Sequence, residues 1–386
     1  MNKELVEKIE LKFKEYFKTH PTIYSAPGRI NLIGEHTDYN DGYVLPAAID
    51  KAIYFAAAKN DVNKLRFYSI DFNESFEIDI DKLEKTDKQW ANYLIGTAFQ
   101  FQTKGKNFKG IDCVFGGDIP LGAGLSSSAA LECGFAYTIN DLYQLGVERD
   151  ELIFIAQKAE HDFAGVKCGI MDQFASTFGK DGHVVRLDCR SMQREYYPLD
   201  NQNYDIVLIN TNVKHNLASS EYNTRRQECE SGVEAIQAKH PEVNSLRDAT
   251  PEMLDAVKSE VSHKVYDRCH YVIHEIIRVE NACQDLLKGE FEAFGKLMYE
   301  THYGLSKEYE VSCPELDFLV DLAKEDSNVV GSRLMGGGFG GCTINLIKKG
   351  AAAGFIQKAE KAFTSEFDKE PSVFEVKISN GVSKLN

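Results

Sequence analysis

Apolar positions open the chain at helical spacing: Val6, Ile9, Phe13 and Tyr16 share one face of "MNKELVEKIELKFKEYFKTHP" among charges. That pattern predicts a surface helix ended by Pro21, without the continuous apolar core of a signal peptide. From residue 23 the period shortens. "IYSAPGRINLIGEHTDYNDGYVLPAAIDKAIYFAAAKN" alternates apolar runs with turn signals at Pro27-Gly28, Asn40-Asp41-Gly42 and Pro46, so strands flank a polar loop. A strand near 65–79, a helix near 88–103 and a strand with Ile111, Cys113 and Phe115 on one face follow. Small and apolar residues then recur at helical spacing from Ser126 to Leu145, with a serine as N-cap and Gly146 as the stop.

A helix in "DELIFIAQKAEHDFAG" leads through "VKCGIMDQFAS" to a strand, "HVVRLDC". The polar segment "SMQREYYPLDNQNYD" is the best place for a domain boundary, and it divides the chain into 1–197 and 198–386. Beyond it the pattern predicts the strand "YDIVLINTN", helices near 219–238, 251–258, 264–288 and 290–304, and one more helix. A "GGGFGG" loop, the strand "CTINLI", a helix and a last strand close the chain. Strands and helices mix without strict β-α alternation, which predicts an α+β fold rather than a doubly wound sheet.

Composition narrows the function. The 386 residues suffice for two domains, at roughly 100–200 residues each. The formal charge of −15 repels phosphate backbones and anionic lipid, so neither nucleic acid nor a membrane is expected as a partner. A small anion can still bind where backbone dipoles and a cation act locally. No apolar run approaches the roughly 18–20 residues that span a bilayer. The nine cysteines are odd in number, dispersed and never in a Cys-x-x-Cys pair; reduced thiols and a cytoplasmic setting follow.

Three stretches carry candidate chemistry. In "PLGAGLSSSAALE", residues 120–132, two glycines and three serines approach a helix start. Free N–H groups, the helix dipole and serine hydroxyls there suit a triphosphate, whereas the bland alternative is a turn with a serine cap. The stretch holds no lysine or arginine, so any charge partner comes from elsewhere. "GRINLIGEHTDYNDG" gathers Arg29, Glu35, His36 and Asp38 at a strand end, where carboxylates can accept from several hydroxyls of a polar substrate. Glu160 precedes Asp172 in "AEHDFAGVKCGIMDQF". Next to Ile170 and Met171 the Asp172 carboxylate is partly desolvated and needs a cation such as Arg29 to stay ionised.

Other signals are weaker. There is no G-x-x-x-x-G-K-[ST], the third glycine of a dinucleotide loop is replaced by Ser127, and the protein-kinase motifs are absent. Cys269, His270 and His274 lack the glutamate and the second cluster that a zinc site requires. Arg225 and Arg226 have Glu221 and Glu230 four residues away, which predicts surface pairing. Trp90, the only tryptophan, is expected in the core.

Taken together, "GRINLIGEHTDYNDGYVLPAAI", "PLGAGLSSSAALE" and "LMGGGFGGCTI" resemble, in order, the three motifs of the GHMP small-molecule kinases. The first resembles the galactokinase signature in particular, and "VKCGIMDQF" and "SSEYNTRR" are similar to further segments of that family. The resemblance implies a two-domain fold, N-terminal ribosomal-protein-S5 domain 2-like and C-terminal ferredoxin-like, that phosphorylates the C1 hydroxyl of α-D-galactose with ATP and Mg²⁺. It implies that Asp172 orients or deprotonates that hydroxyl with Arg29 as its cationic partner, and that Glu35, His36, Asp38, Gly169 and Tyr222 hold the sugar. It gives Gly122, Gly124, Ser126, Ser127 and Ser128 to the phosphates, Ser128 and Glu160 to Mg²⁺, and Trp90 and Tyr93 to a segment near the adenine. A monomer is implied by the same likeness. An N-acetylgalactosamine or other sugar 1-kinase would share the phosphate residues; a non-catalytic galactose sensor would be damaged in the serine loop, which is intact here.

Overall fold

The computed structural model describes residues 1–120, 122–199, 202–213 and 218–386. Leu121 of the serine-rich stretch, and Asp200 and Asn201 of the boundary segment, lie outside them. The amphipathic helix α1 (Lys3–Phe17) buries Ile9 and Phe13. It ends at Lys18 in a left-handed conformation, three residues before Pro21.

Six strands form the first sheet, in the order β13-β1-β3-β6-β4-β5. They are β1 (Thr22–Asn31), β3 (Pro46–Asn60), β4 (Lys64–Ser69), β5 (Glu74–Asp79), β6 (Gly110–Gly117) and β13 (Ser383–Lys384). The single strand expected at 65–79 is therefore a hairpin, in which Ser69 faces Glu74 across the turn. A small second sheet joins β2 (Tyr43–Val44), β7 (His183–Asp188) and β8 (Arg194–Pro198). Strand β8 occupies the polar segment read as a boundary: its outer residues are polar because only one face is covered, the usual pattern of a half-exposed antiparallel strand.

The helices α2 (Gln89–Thr103), α3 (Ser127–Tyr143), α4 (Arg149–Ala159) and α5 (Met171–Phe178) belong to the same half of the chain. Ile111, Cys113 and Phe115 on β6 are all buried, as their alternation predicts. Helix α3 starts at Ser127 and stops at Gln144, which is left-handed, two residues before Gly146. Helix α4 closes in a π-helical turn over Glu160–Ala164.

The third sheet has the order β10-β11-β9-β12, with β9 (Tyr204–Asn210), β10 (Val329–Leu334), β11 (Cys342–Lys348) and β12 (Ser372–Val376). Strand β10 escaped the sequence reading because Arg333 interrupts its apolar run. Helices α6 (Ala218–Gln237), α7 (Pro251–Asp255), α8 (His263–Lys288), α9 (Phe291–Lys307), α10 (Pro314–Lys324) and α11 (Ala352–Phe367) accompany it. The chain then returns: β13 pairs with β1 through Tyr24 and Ser25 in the first sheet. No described helix is long and apolar enough to cross a membrane.

Candidate functional site

Two adjoining cavities meet where the halves of the chain face each other. One, of about 270 Å³, is lined by Arg29, Glu35, His36, Asp38, Glu160, Gly169, Asp172 and Tyr222, together with Gly336 and Gly337. The other, of about 280 Å³, is lined by Gly122, Gly124, Ser126, Ser127 and Ser128. Arg29, Asp172, Gly336 and Gly337 line both.

At that junction Arg29, on β1, donates from Nε to Asp172 Oδ1 at 2.8 Å and from a terminal nitrogen to Oδ2 at 2.9 Å. This is the paired fork geometry in which guanidinium and carboxylate bind most strongly. Burial disfavours the Arg29 charge, yet Asp172, Glu35 and Asp38 outweigh it and hold the group above its ordinary value. The other terminal nitrogen donates to the Gly124 carbonyl, and the Arg29 N–H to Leu125 O at 3.1 Å. The serine loop is thereby tied to the acidic site, and the cation missing from the loop is supplied by Arg29.

Ser126 is the N-cap of α3 by position but not by function. Its backbone is left-handed (φ 57°) and its side chain caps no helix N–H; the hydroxyl instead donates to Asp172 Oδ2. The first-turn N–H groups are thus left to an anion, as a phosphate seat requires. Gly122 and Gly124 are left-handed too, at φ 74° and 72°, so glycine is required there for conformation rather than for space.

The acidic groups differ sharply in their surroundings. Glu35 is 2% exposed and accepts from Arg333 at 2.9 Å and from the Gly336 N–H at 2.8 Å. Burial, and then the charges of Asp172 and Glu35, push the Asp38 carboxyl up to about 7. Its Oδ1 accepts from the Tyr39 N–H at 3.0 Å. Gly169 packs directly on it, because a Cβ there would lie 1.7 Å from Asp38 Oδ2. Burial pushes the His36 ring down to about 4, so it is neutral. The Tyr222 ring lies 5.3 Å from it.

Glu160 is raised by burial and then by Asp172, with Ser128, Cys168 and Gln173 as hydrogen-bonding neighbours. Gln173 donates to its Oε2 at 2.8 Å. A carboxylate beside a serine hydroxyl, with Asp172 and Glu132 as negative neighbours, has the hard oxygen donors that Mg²⁺ takes, and Mg²⁺ fills its remaining positions with water and phosphate oxygens. The residues fit that ion. Glu132, which the sequence reading passed over, sits beside Glu160, fully buried and raised well above the ordinary range by burial and then by Glu160. Its signal was an acidic residue inside the apolar run "SAALECGF".

The placement of several further residues bears on the sequence reading. Trp90 packs in the core, its ring 6.5 Å from Phe72 and 5.5 Å from Phe115. Neither it nor Tyr93 lines either cavity. Arg225 forms the expected pair with Glu221 at 3.4 Å but is buried rather than on the surface, donating also to Tyr309 O at 2.7 Å and Glu310 O at 2.9 Å, while Arg226 pairs with Glu230 at 3.0 Å as expected. Arg333, unremarked in the sequence, is fully buried and also donates to the carbonyls of Asn31 and Leu32, which sets the sugar-side loop from the opposite half of the chain.

Comparison with known proteins agrees with this geometry. Residues 11–59 match the galactokinase galactose-binding signature, 92–180 the GHMP kinase N-terminal domain and 282–364 the GHMP kinase C-terminal domain. The chain is 40% identical over 389 residues to a galactokinase of Clostridium acetobutylicum, covering 99% of this chain and 100% of that protein. It is 42% identical over 360 residues to one of Thermotoga petrophila, covering 93% and 99%. A crystal structure of Lactococcus lactis galactokinase complexed with galactose superposes with a TM-score of 0.95 at 34% identity, over 98% of this chain and 99% of that one. An L. major mevalonate kinase, 18% identical, shares the fold alone, with a TM-score of 0.61 over 94% of this chain and 96% of that one. With galactokinase relatives matched over nearly its whole length, and with the serine loop and acidic loop joined through one arginine, this chain belongs to the galactokinase family of GHMP kinases.

Proposed function

We propose that the protein transfers the γ-phosphoryl group of ATP to the C1 hydroxyl of α-D-galactose, releasing ADP and galactose 1-phosphate. The observation that carries this reading is the junction of the two cavities at Arg29 and Asp172. A sugar hydroxyl and a terminal phosphate can meet only where both are reached.

In this reading Glu35, His36, Asp38, Gly169 and Tyr222 hold the sugar with C1 toward Asp172. Each Asp172 oxygen accepts from Arg29, and Oδ2 also from Ser126, so the carboxylate is fixed in direction and keeps a lone pair on Oδ1 for the hydroxyl. Asp172 then orients that hydroxyl and takes its proton as phosphorus is attacked. Arg29 steadies negative charge on the transferring group, and the N–H groups of the serine loop face the remaining phosphates. Gly122, Gly124, Ser126 and Ser127 shape that seat. Ser128 and Glu160 are the residues we assign to Mg²⁺, which when bound neutralises charge on the β- and γ-phosphates. Trp90 and Tyr93 act on the adenine side through the packing of α2 rather than by lining the cavities.

We divide the chain at 197/198, with β13 returning to the N-terminal unit. A cytoplasmic monomer is proposed on the nine free thiols and the family likeness. The test is to incubate the protein with MgATP and galactose, N-acetylgalactosamine, glucose or arabinose, follow ADP, and locate the new phosphate by NMR. Galactose 1-phosphate is expected, and Asp172→Asn should lower kcat by roughly 10²–10⁴-fold while galactose still binds. Faster turnover of N-acetylgalactosamine, or sugar binding without ADP, would overturn the assignment.

A further inference from the structure

His36 has a left-handed backbone (φ 63°) and is 4% exposed. Its Nδ1 lies 2.7 Å from the Tyr39 hydroxyl, which lies 2.8 Å from the Tyr309 hydroxyl, which in turn lies 3.2 Å from Cys229 Sγ. Tyr309 is fully buried, its ring held between Tyr271 at 4.9 Å and His36 at 4.8 Å. At the other end of the imidazole, Nε2 is buried and makes no well-formed hydrogen bond; the Gly337 backbone beside the ring favours a proton there, and the residue lines the sugar-side cavity.

The chain of four groups has a preferred direction. Burial pushes the Cys229 thiol up to about 12, so the sulfur keeps its proton. A thiol is a weak acceptor but can donate. Running S–H to Tyr309, Tyr309 O–H to Tyr39 and Tyr39 O–H to Nδ1 uses every proton and ends on a good acceptor. The opposite direction ends on sulfur and turns a bare Nε2 lone pair into a cavity walled by Glu35, Glu160 and Asp172, where lone pairs repel. The first direction puts an N–H there instead.

We infer that Tyr39 and Tyr309 are positioning residues that lock His36 in the Nε2–H tautomer, so that it presents a hydrogen-bond donor, and not an acceptor, to an oxygen of the bound sugar. Of the carboxylates in that wall, Glu35, Glu160 and Asp172 can only accept when ionised, and three of the Arg29 N–H groups are already given to Asp172 and Gly124. A sugar hydroxyl both donates and accepts, so a fixed N–H supplies the complement that carboxylates lack. The identity of the ligand rests on the sugar-kinase reading; the tautomer is a property of the sugar-free protein.

The experiment therefore starts without sugar. In uniformly ¹⁵N-labelled protein, long-range ¹H–¹⁵N correlation spectra report which imidazole nitrogen carries the proton, with His36 assigned by the signals missing in His36→Gln. Nε2 protonated and Nδ1 bare are expected in the wild type, a mixture of tautomers in Tyr39→Phe, and a smaller admixture in Tyr309→Phe. In turnover, Tyr39→Phe should raise the KM for galactose about three- to tenfold, the worth of one neutral hydrogen bond, with kcat within twofold. A purely structural role would lower the melting temperature and leave the tautomer as it was. Protonated Nδ1 in the wild type overturns the inference, as does an unchanged tautomer in a folded Tyr39→Phe. Should that variant not fold, the wild-type spectrum and Tyr309→Phe decide it. If galactose is not phosphorylated, the spectra of the sugar-free protein still decide the tautomer, so the two readings fail separately.

Discussion

Replacing Gly169 by alanine tests how the sugar-side cavity is built. Gly169 is not in the left-handed region, so the backbone accepts alanine and the effect comes from the methyl group alone. That methyl would stand 1.7 Å from Asp38 Oδ2 and 2.2 Å from Cγ. The carboxylate must retreat by roughly 2 Å to reach ordinary contact distance, which breaks any hydrogen bond it makes to a sugar hydroxyl. Hydrogen bonds to a charged acceptor contribute about 1.5–3 kcal/mol, so the KM and Kd for galactose should rise about 10- to 150-fold. Gly169 and Asp38 do not line the phosphate-side cavity, and the KM for ATP should stay within twofold. The assay is steady-state kinetics with each substrate varied, and calorimetry for galactose alone. In Gly169→Ala/Asp38→Ala the clash is gone, so thermal stability should recover while affinity does not. A galactose KM within twofold of wild type in Gly169→Ala would refute the argument, since the methyl would then have been accommodated without moving Asp38.

Three further outcomes follow from the same geometry. With its carboxyl pushed up to about 7, Asp38 is partly protonated in the sugar-free protein near neutrality. Because sugar hydroxyls favour its ionised form, galactose binding should release protons below that pH and tighten as pH rises to about 7. Calorimetry in buffers of different ionisation enthalpy reads the release, which Asp38→Asn should abolish. The stability sign is opposite: a carboxyl raised above its unfolded value makes the sugar-free protein lose stability as pH climbs from the ordinary carboxylate range to about 7. Arg333→Lys removes the fork that holds Glu35, Leu32 and Asn31 from a fully buried position, and should cost about 3–5 kcal/mol in chemical denaturation; an unchanged midpoint would contradict the pinning role. The serines should separate by phenotype. Ser128→Ala raises the Mg²⁺ needed for half-maximal rate, because Ser128 neighbours Glu160, whereas Ser126→Ala lowers kcat without changing the Mg²⁺ dependence, because Ser126 serves Asp172.

What the sequence disclosed and what it withheld divide by distance along the chain. Glu35, His36 and Asp38 lie in one turn after a strand, so composition within ten residues exposes them. The Arg29–Asp172 pair spans 143 residues, yet it was legible from chemistry, since a carboxylate beside Ile170 and Met171 demands a cation and Arg29 stood in the other polar loop. The serine cap was misread for the same local reason that made it plausible: a serine before a helix ordinarily satisfies an N–H, and only the fold shows the hydroxyl drawn instead to Asp172. For Arg225 the pair with Glu221 was visible at helical spacing and forms, but its burial was not, because the carbonyls of Tyr309 and Glu310 that hold it lie far along the chain. Arg333 was missed although "VVGSRLMGGG" contains a hint, an arginine inside an apolar strand just before a glycine loop. Such a residue needs several acceptors at once, and in this fold the carbonyls of Asn31, Leu32 and Leu334 and the Glu35 carboxylate supply them. The sugar-side loop is therefore shaped by a residue that lines neither cavity. Substitutions at Arg333 should move galactose affinity and stability together, a coupling that the motif residues alone would not suggest.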